Sequence, residues 1–451
     1  TKTISWVLVI VFIPFVGLIL YYLFSQKFSK VKKLKRINQE QTLRLKKEFQ
    51  RLEPLMQWSI RNIQSKIGDL SRVYSYLKNE KLSTPTLNNE VTLLVNGEQM
   101  FPALLESLAA AKHSIHMEFY IFDLDNIGTQ VLDLLEKKAN EGIIVRLIVD
   151  SFGSPKVVRY MRKKKDSKIE FQAFLPVTFT SLANSNYRNH RKIAVIDGFV
   201  CFTGGINISD RYANPNDFGL YWRDTSVKIV GNVGAMFQIS FWNQWNQTDG
   251  KPFKLDEGYL RETPVVTDQL SAVALSSSDP GSIGPFNMEA LLISIGEASE
   301  SIKLCTPYFI PSEELSTALK TAAAAGVDVE LMIPAAGDSW FVQHATYSYL
   351  KPLLERGVKV YLYEKGFLHA KTSIIDGKIA YVGTVNLDFR SFYINYEVAA
   401  VISNRDFCRD MEKQFDIDRE NCVMITIKDW KKRKAWKRGI DSLCRLLAPL
   451  L

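Results

Sequence analysis

The sequence predicts an α/β fold of two duplicated halves, each a mixed β-sheet flanked by helices, behind an N-terminal transmembrane helix. Three observations carry this. A long motif occurs twice, as His190-Arg-Lys192, Asp197, Gly204-Gly205-Ile-Asn207 and as His369-Ala-Lys371, Asp376, Gly383-Thr384-Val-Asn386, and every shared position is displaced by 179 residues. One constant offset over so long a pattern marks a duplicated unit. Around each copy strand-like apolar runs alternate with helical ones, the pattern of parallel sheet under helical cover. Finally, the 21 residues from Ile4 to Phe24 carry no charge.

That first segment is long enough to span a hydrocarbon core of roughly 30 Å as a helix. Trp6, Tyr21 and Tyr22 stand near its ends, where interfacial aromatics belong. A signal peptide is the competing reading, but the run is long for one and no clear small-residue cleavage site follows. Residues 1–25 are therefore expected to anchor the chain. Residues 26–89 are expected to form basic amphipathic and connector helices. Lys27, Lys30, Lys32, Lys33, Lys35 and Arg36 lead a run opposed by only Glu40 and Glu48 as far as Arg51. Positive charge beside a span places the following body on the cytoplasmic side and favours anionic headgroups, although a solvated helix has the same composition. Leu55, Ile60, Ile63, Ile67 and Leu70 then recur at helical spacing, as a connector packing on the body or the bilayer would need.

Residues 90–258 and 259–427 form the two halves. In the first, Ala103–Ala111 reads as a helix, His113–Phe122 as a strand, Gly128–Ala139 as a helix and Ile143–Val149 as a buried strand. In the second, the same order returns at Met288–Ala298, Ser301–Phe309, Ser312–Ala325 and Val327–Ile333, followed by a strand at Val358–Tyr363. Ser276 to Pro285, rich in Ser, Gly and Pro, reads as the loop between them. After each motif comes a strand led by an acid, Asp224 or Glu397. Phe237, Phe241, Trp242 and Trp245 sit on a helical stretch and are expected in the core, as are Tyr120 and Tyr308, for which a lipid entrance is the alternative place. His113, His116 and His344 lie outside the repeat and are expected to pack or hydrogen-bond. Residues 428–451 return to basic residues interleaved with Trp430 and Trp436 and end in leucines. That suits an amphipathic helix on an anionic membrane surface; a terminal helix docked on the body is the alternative.

The net charge of +9 favours anionic partners, nucleic acid or an anionic bilayer, and a membrane span argues for the bilayer. Cys201, Cys305, Cys408, Cys422 and Cys444 show no paired spacing, as for free thiols in a reducing compartment. No residues have metal-site spacing, so neither metal nor other cofactor is expected. The oligomeric state stays open.

The motif itself carries chemistry. Lys192–Ile196 and Lys371–Ile375 read as strands, and Asp197-Gly198 or Asp376-Gly377 then turns the chain into a second strand. Asp197 and Asp376 are thus scaffold residues of a hairpin. His190 and Lys192 share a strand face, as do His369 and Lys371, because side chains alternate with period 2. The glycines after each hairpin let backbone approach a ligand, with Asn207 or Asn386 beside it. Imidazole serves as nucleophile or acid/base near neutrality, while Lys and Asn donate to phosphate oxygens. Two such sets facing one another put an imidazole on each side of a phosphorus, for in-line displacement through a phosphohistidine with lysines supplying the positive charge.

The doubled motif resembles that of the phospholipase D superfamily. The flanks Thr203-Gly204-Gly205-Ile-Asn207-Ile-Ser-Asp210 and Gly383 to Phe392 are similar to those of bacterial cardiolipin synthases. Gly205 stands where many superfamily members carry Ser. The resemblance implies an enzyme of the bacterial cytoplasmic membrane that makes cardiolipin and glycerol from two phosphatidylglycerols. It implies His190 as nucleophile, His369 as acid/base, Lys192, Lys371, Asn207 and Asn386 holding the phosphate, and Asp224 and Glu397 orienting the imidazoles. Enzymes of this type commonly carry two N-terminal spans, and position 1 is Thr rather than Met, so whether a further span stands upstream is left open. A hydrolase, transfer to another alcohol, and an anionic-lipid-binding scaffold without turnover are the rival readings.

Overall fold

The structure is a computed structural model; it describes residues 2–15, 17, 18, 21, 32, 36, 61, 63–65, 67–81, 83–175, 186–214, 219–248, 252–255, 259 and 271–447. The first half contributes β1 (Asn89–Val95), β2 (Ser114–Phe119), β3 (Ile144–Asp150), β4 (Glu170–Phe174), β5 (Lys192–Ile196), β6 (Val200–Gly204), β7 (Trp222–Arg223) and β8 (Thr225–Gly231). Seven of these form one sheet in the order β1-β8-β6-β5-β2-β3-β4. The pairs β2/β3 and β3/β4 are parallel and the others antiparallel, so the sheet is mixed.

The second half contributes β9 (Ala272–Ser278), β10 (Ser301–Cys305), β11 (Phe309–Ile310), β12 (Asp328–Pro334), β13 (Lys359–Tyr363), β14 (Phe367–Leu368), β15 (Thr372–Ile375), β16 (Ile379–Gly383), β17 (Leu387–Asp388), β18 (Glu397–Ser403) and β19 (Cys422–Ile425). Its eight-stranded sheet runs β19-β13-β12-β10-β15-β16-β18-β9. Read from the other edge, this is the first sheet's order with β19 added, so the duplication of sequence is a duplication of topology.

Strand alternation assigns each residue to a layer. In β5, Ala194 and Ile196 face the helices Asn96–Ala110 and Asn126–Asn140, whose Leu104, Leu108, Val131 and Leu135 are fully buried. The latter helix forms because Ile127, Val131, Leu135 and Ala139 recur every four residues behind an Asp125 cap that accepts from Gly128 N. Ile193 and Val195 point the other way and meet Ile374, Val382, Val398 and Ala400 of the second sheet. The two sheets therefore share one apolar layer, and helices cover the outer faces. Burying each such Val or Ile is worth about 1.5–3 kcal/mol, which makes the contact between halves part of the core.

Several expectations shift. Ser276–Ser278 belongs to β9 and not to a loop, because its pairing with β18 in full register and the bond between the side chains of Ser276 and Asn287 satisfy a polar strand. The first helix starts at Asn96 and continues past Pro102; burial of Met100 and Phe101 outweighs the one backbone bond proline removes. The connector packs on the second half through Ile63, Leu70, Val73, Tyr74 and Leu77, while Leu55 and Ile60 lie outside the described residues. At the N-terminus a helix covers Lys2–Phe12, and the rest of the expected anchor is described only in part. Among the described residues, no helix is long and apolar enough to cross a membrane. The tail forms helices Ile427–Lys431 and Ala435–Leu447. The second docks on helix Trp340–Leu354 through Ile440, Asp441 and Cys444, as the alternative reading had it, because buried Asp441 needs its partners His344 and Arg433. Its Trp436, Leu443 and Leu446 remain exposed. All five cysteines are free thiols.

Candidate active site

Each motif folds as a hairpin whose turn is set by Asp-Gly. Asp197 and Gly198 have φ of 52° and 81°, and Asp376 and Gly377 have 51° and 57°, the positive values of a primed turn. Each aspartate then works as a strap. Asp197 accepts from Lys112 N, His113 N and Ser114 N at 2.7–3.0 Å, and Asp376 from Glu300 N and Ser301 N at 2.8 and 2.9 Å. They pin each hairpin to the start of the neighbouring strand. The histidines emerge at the other end of β5 and β15.

There the two halves are stitched together by backbone. Asn189 bridges Tyr396, with His190 N donating to Tyr396 O at 3.0 Å and Tyr396 N to Arg188 O at 2.9 Å. Equivalently, β14 pairs in parallel with β7, and His369 N donates to Arg223 O at 2.7 Å. Each ladder sets a histidine of one half beside the acid of the other. His190 Nδ1 lies 3.0 Å from both oxygens of Glu397, and His369 Nδ1 lies 2.7 Å from Asp224 Oδ2. An ionised carboxylate only accepts, so Nδ1 carries the hydrogen and each Nε2 keeps its lone pair. Burial pulls both imidazoles below their usual pKa, His369 to about 3, with Glu397 and Asp224 opposing that pull. Both rest neutral. Burial alone would raise the Glu397 carboxyl, but His190, Lys192 and Thr384 hold it below its ordinary value.

Lys192 and Lys371 are buried behind the histidines and donate to the carbonyls of His190 (2.7 Å) and His369 (2.5 Å). Desolvation brings Lys192 to about 7 and Lys371 to about 8. Asn207 accepts from Ile121 N and donates to the Tyr212 hydroxyl at 2.6 Å. Asn386 Oδ1 is buried with no hydrogen-bond partner among the described residues.

His190, His369, Asn207 and Asn386 line one cavity of about 460 Å³. Its walls include Tyr120, Phe152, Trp222 and Tyr308. Tyr120 and Tyr308 line the cavity, the alternative to the core place, because Tyr120 follows the last residue of β2 and Tyr308 stands between β10 and β11, where the chain turns over the cavity. Tyr120 stands edge-on to His190 at 5.1 Å, and Tyr308 donates to Asp338 at 2.6 Å. His116, by contrast, stacks on Phe241 and bonds Gln238 in the core, and His344 bonds Asp441. Phe237, Phe241 and Trp245 are buried; Trp242 is half-buried and donates to Phe253 O. Among the described residues, no group of three or more His, Cys, Asp or Glu could hold a metal ion.

A family profile described as "Cardiolipin synthase, PLD-like domain" matches residues 104–239 and 291–419, and one described as "Phospholipase D-nuclease N-terminal" matches residues 1–26. A cardiolipin synthase of Alkalihalophilus pseudofirmus is 35% identical over 100% of this chain and 89% of its own length. The chain belongs to the cardiolipin synthase family. Cardiolipin synthase 2 of Bacillus cereus is similar at 37% identity, over 100% of this chain and 87% of its own. Among solved structures, a phosphatidylserine synthase of Haemophilus influenzae shares the fold, with a TM-score of 0.66, 16% identity, and coverage of 85% of this chain and 100% of that one.

Within this cardiolipin synthase-family site, Gly205 has a physical cause. A Cβ there would lie 2.0 Å from Asp224 Oδ1, so glycine makes room for the acid that holds His369. At the equivalent place, the Thr384 hydroxyl donates to Glu397 Oε2 at 2.5 Å. Sequence reasoning missed Arg188, Arg211 and Arg390, which all line the cavity. A signal was present: carrying the repeat four residues past each asparagine pairs Arg211 with Arg390 at the same offset of 179.

Proposed function

We infer that this chain is a phosphatidyltransferase that joins two phosphatidylglycerols into cardiolipin and releases glycerol. Membership of the family supports the reaction. The observation that carries the mechanism is the pair of neutral imidazoles, each fixed by a carboxylate of the opposite half and both opening into one cavity. One Nε2 attacks the phosphorus of the first lipid, while the opposite histidine, which takes up a proton from solvent on its Nε2 as the anionic lipid enters and whose imidazolium is steadied by the carboxylate at Nδ1, gives that proton to the departing glycerol oxygen. That leaves a phosphatidyl-histidine. The second histidine, now deprotonated, takes the proton from a glycerol hydroxyl of the second lipid, whose oxygen displaces the first histidine. Lys192, Lys371, Asn207 and Asn386 hold the phosphoryl oxygens through both steps. An anion between the lysines draws both to the charged form. Aromatic walls exclude water and favour the alcohol as acceptor.

The residues from Ile4 to Phe24 anchor the body to the bacterial cytoplasmic membrane, with the basic run that follows on the cytoplasmic side. The exposed Trp436, Leu443 and Leu446, among lysines and arginines, rest against anionic lipid while the other face of their helix stays docked.

Lipid mass spectrometry tests the reading. Phosphatidylglycerol vesicles incubated with the protein and excess chelator should yield cardiolipin and glycerol. Phosphatidic acid without cardiolipin would make the chain a hydrolase. His190→Ala and His369→Ala should each abolish turnover while vesicle binding survives; turnover that persists in either removes that histidine from the mechanism, and survival of the lipid's cellular role in both would leave a scaffold.

A further inference from the structure

The repeat that builds the cavity is broken at one telling position. Arg188 stands two residues before His190, and its counterpart before His369 is Phe367. The flank beside His369 is accordingly aromatic: Phe367 and Trp222 contact each other at 4.9 Å and the imidazole at 5.8 and 5.3 Å. Its arginine, Arg211, lies over Trp222 and within 3.9 Å of Asp123, 38% exposed. The flank beside His190 instead holds two guanidinium groups. Arg188 is buried against Asp150 at 3.1 Å. Arg390 donates to Asn186 Oδ1 and Asn186 O and makes no ion pair among the described residues. Burial lowers its pKa, Asp388 opposes this and Arg188 adds to it, as expected of two cations side by side. Asn395 Oδ1, also in the lining, is a buried acceptor with no partner among the described residues.

The reaction proposed above presents two phosphodiesters to one cavity, and the lysine and asparagine sets account for one. We propose that Arg188 and Arg390 seat the second, the acceptor lipid's own phosphodiester, with Asn395 accepting from the headgroup glycerol's other hydroxyl, the one that does not react. This rests on the transferase reading and goes beyond it, by naming what separates a phosphatidylglycerol acceptor from water or free glycerol. A planar fork matches a phosphodiester's two free oxygens, as an aromatic flank cannot. The three-carbon bridge lets the second phosphodiester lie beside the first, so the seat does not itself order the histidines.

The test compares two acceptors on one donor. Phosphatidylglycerol vesicles are given deuterated glycerol, and mass spectrometry follows both labelled phosphatidylglycerol (exchange, which needs no second phosphate) and cardiolipin. In Arg390→Gln, cardiolipin formation should fall at least tenfold more than exchange. Equal loss of both overturns the seat. Should Arg390→Gln not fold, Arg390→Lys, which keeps the charge but not the fork, is read by the same ratio and should fall between. A wild-type protein that exchanges or hydrolyses but makes no cardiolipin would strike the transferase reading instead.

Discussion

The two half-sites contribute the same His, Lys and Asn but hold their acids in different ways. Glu397 accepts from Thr384 Oγ1, Ser391 Oγ and Asn395 Nδ2 as well as from His190. Asp224 accepts from His369 and from Thr225 N, and its room comes from the missing side chain of Gly205. One acid is fixed by donors, the other by fit. Because each acid serves the histidine of the opposite half, neither half is a working unit, and the contact between the sheets is a condition for any chemistry. The difference between the half-sites is open to experiment.

The largest effect should come from neutralising the acids. Asp224→Asn and Glu397→Gln each present an amide N–H to Nδ1, which forces the hydrogen onto Nε2 and removes the lone pair. Turnover should fall about 10³–10⁴-fold in both, the order seen when the orienting carboxylate of a histidine triad becomes an amide. Stability should separate them. The Glu397→Gln amide must place its NH₂ among three further donors, for a loss of about 1–3 kcal/mol. Asn at 224 can still accept from Thr225 N, so its thermal midpoint should stay closer to wild type. Equal midpoints would erase the distinction between the two acids.

A smaller effect should follow from filling the space at Gly205. In Gly205→Ser the new Cβ meets Asp224 Oδ1, so the carboxylate swings off His369, and turnover should drop by about 10²-fold, a partial copy of Asp224→Asn. Thr384→Ser keeps the hydroxyl on Glu397 and should change turnover less than threefold. If serine at 205 is as active as glycine, fit is not what positions Asp224.

Much of this was legible in the sequence, and the boundary has a physical origin. The hairpins at Asp197 and Asp376, the alternation in β5 and β15 and most helices follow from local chemistry, which a sequence displays directly. The crossing of partners does not. His190 and Glu397 are 207 residues apart, and only the pairing of Asn189 with Tyr396 brings them together. The core is the favoured place for Tyr120 and Tyr308 in the sequence because they follow buried strands, yet one residue past β2 and three past β10 are enough to put a ring over the cavity. Ser276 read as loop because serine is a weak strand former, and the register with β18 overrides that preference.

The smallest expected effect joins the half-sites. Lys192 and Lys371 sit at about 7 and 8 in the unliganded protein, against 10.5 for a free lysine. The unfolded chain holds more protons than the folded one between about pH 7 and 10.5, so this pair destabilises the empty protein most at low pH, and that cost fades as pH rises through the window. Binding has the opposite sign. A phosphate needs the charged amines, so kcat/KM for phosphatidylglycerol should fall above about pH 7, towards about tenfold per unit, and more steeply above about pH 8 where both amines lose their protons, with kcat changing less because bound phosphate raises both pKa values. Inorganic phosphate binding at pH 8.5, followed by calorimetry in two buffers of different ionisation enthalpy, should take up protons. Lys192→Arg should reduce that uptake, since a guanidinium stays charged throughout the range. No uptake in the wild type, with kcat/KM flat to pH 9.5, would mean that the lysines hold their protons in the empty site and that the two half-sites do not pull each other's charge down.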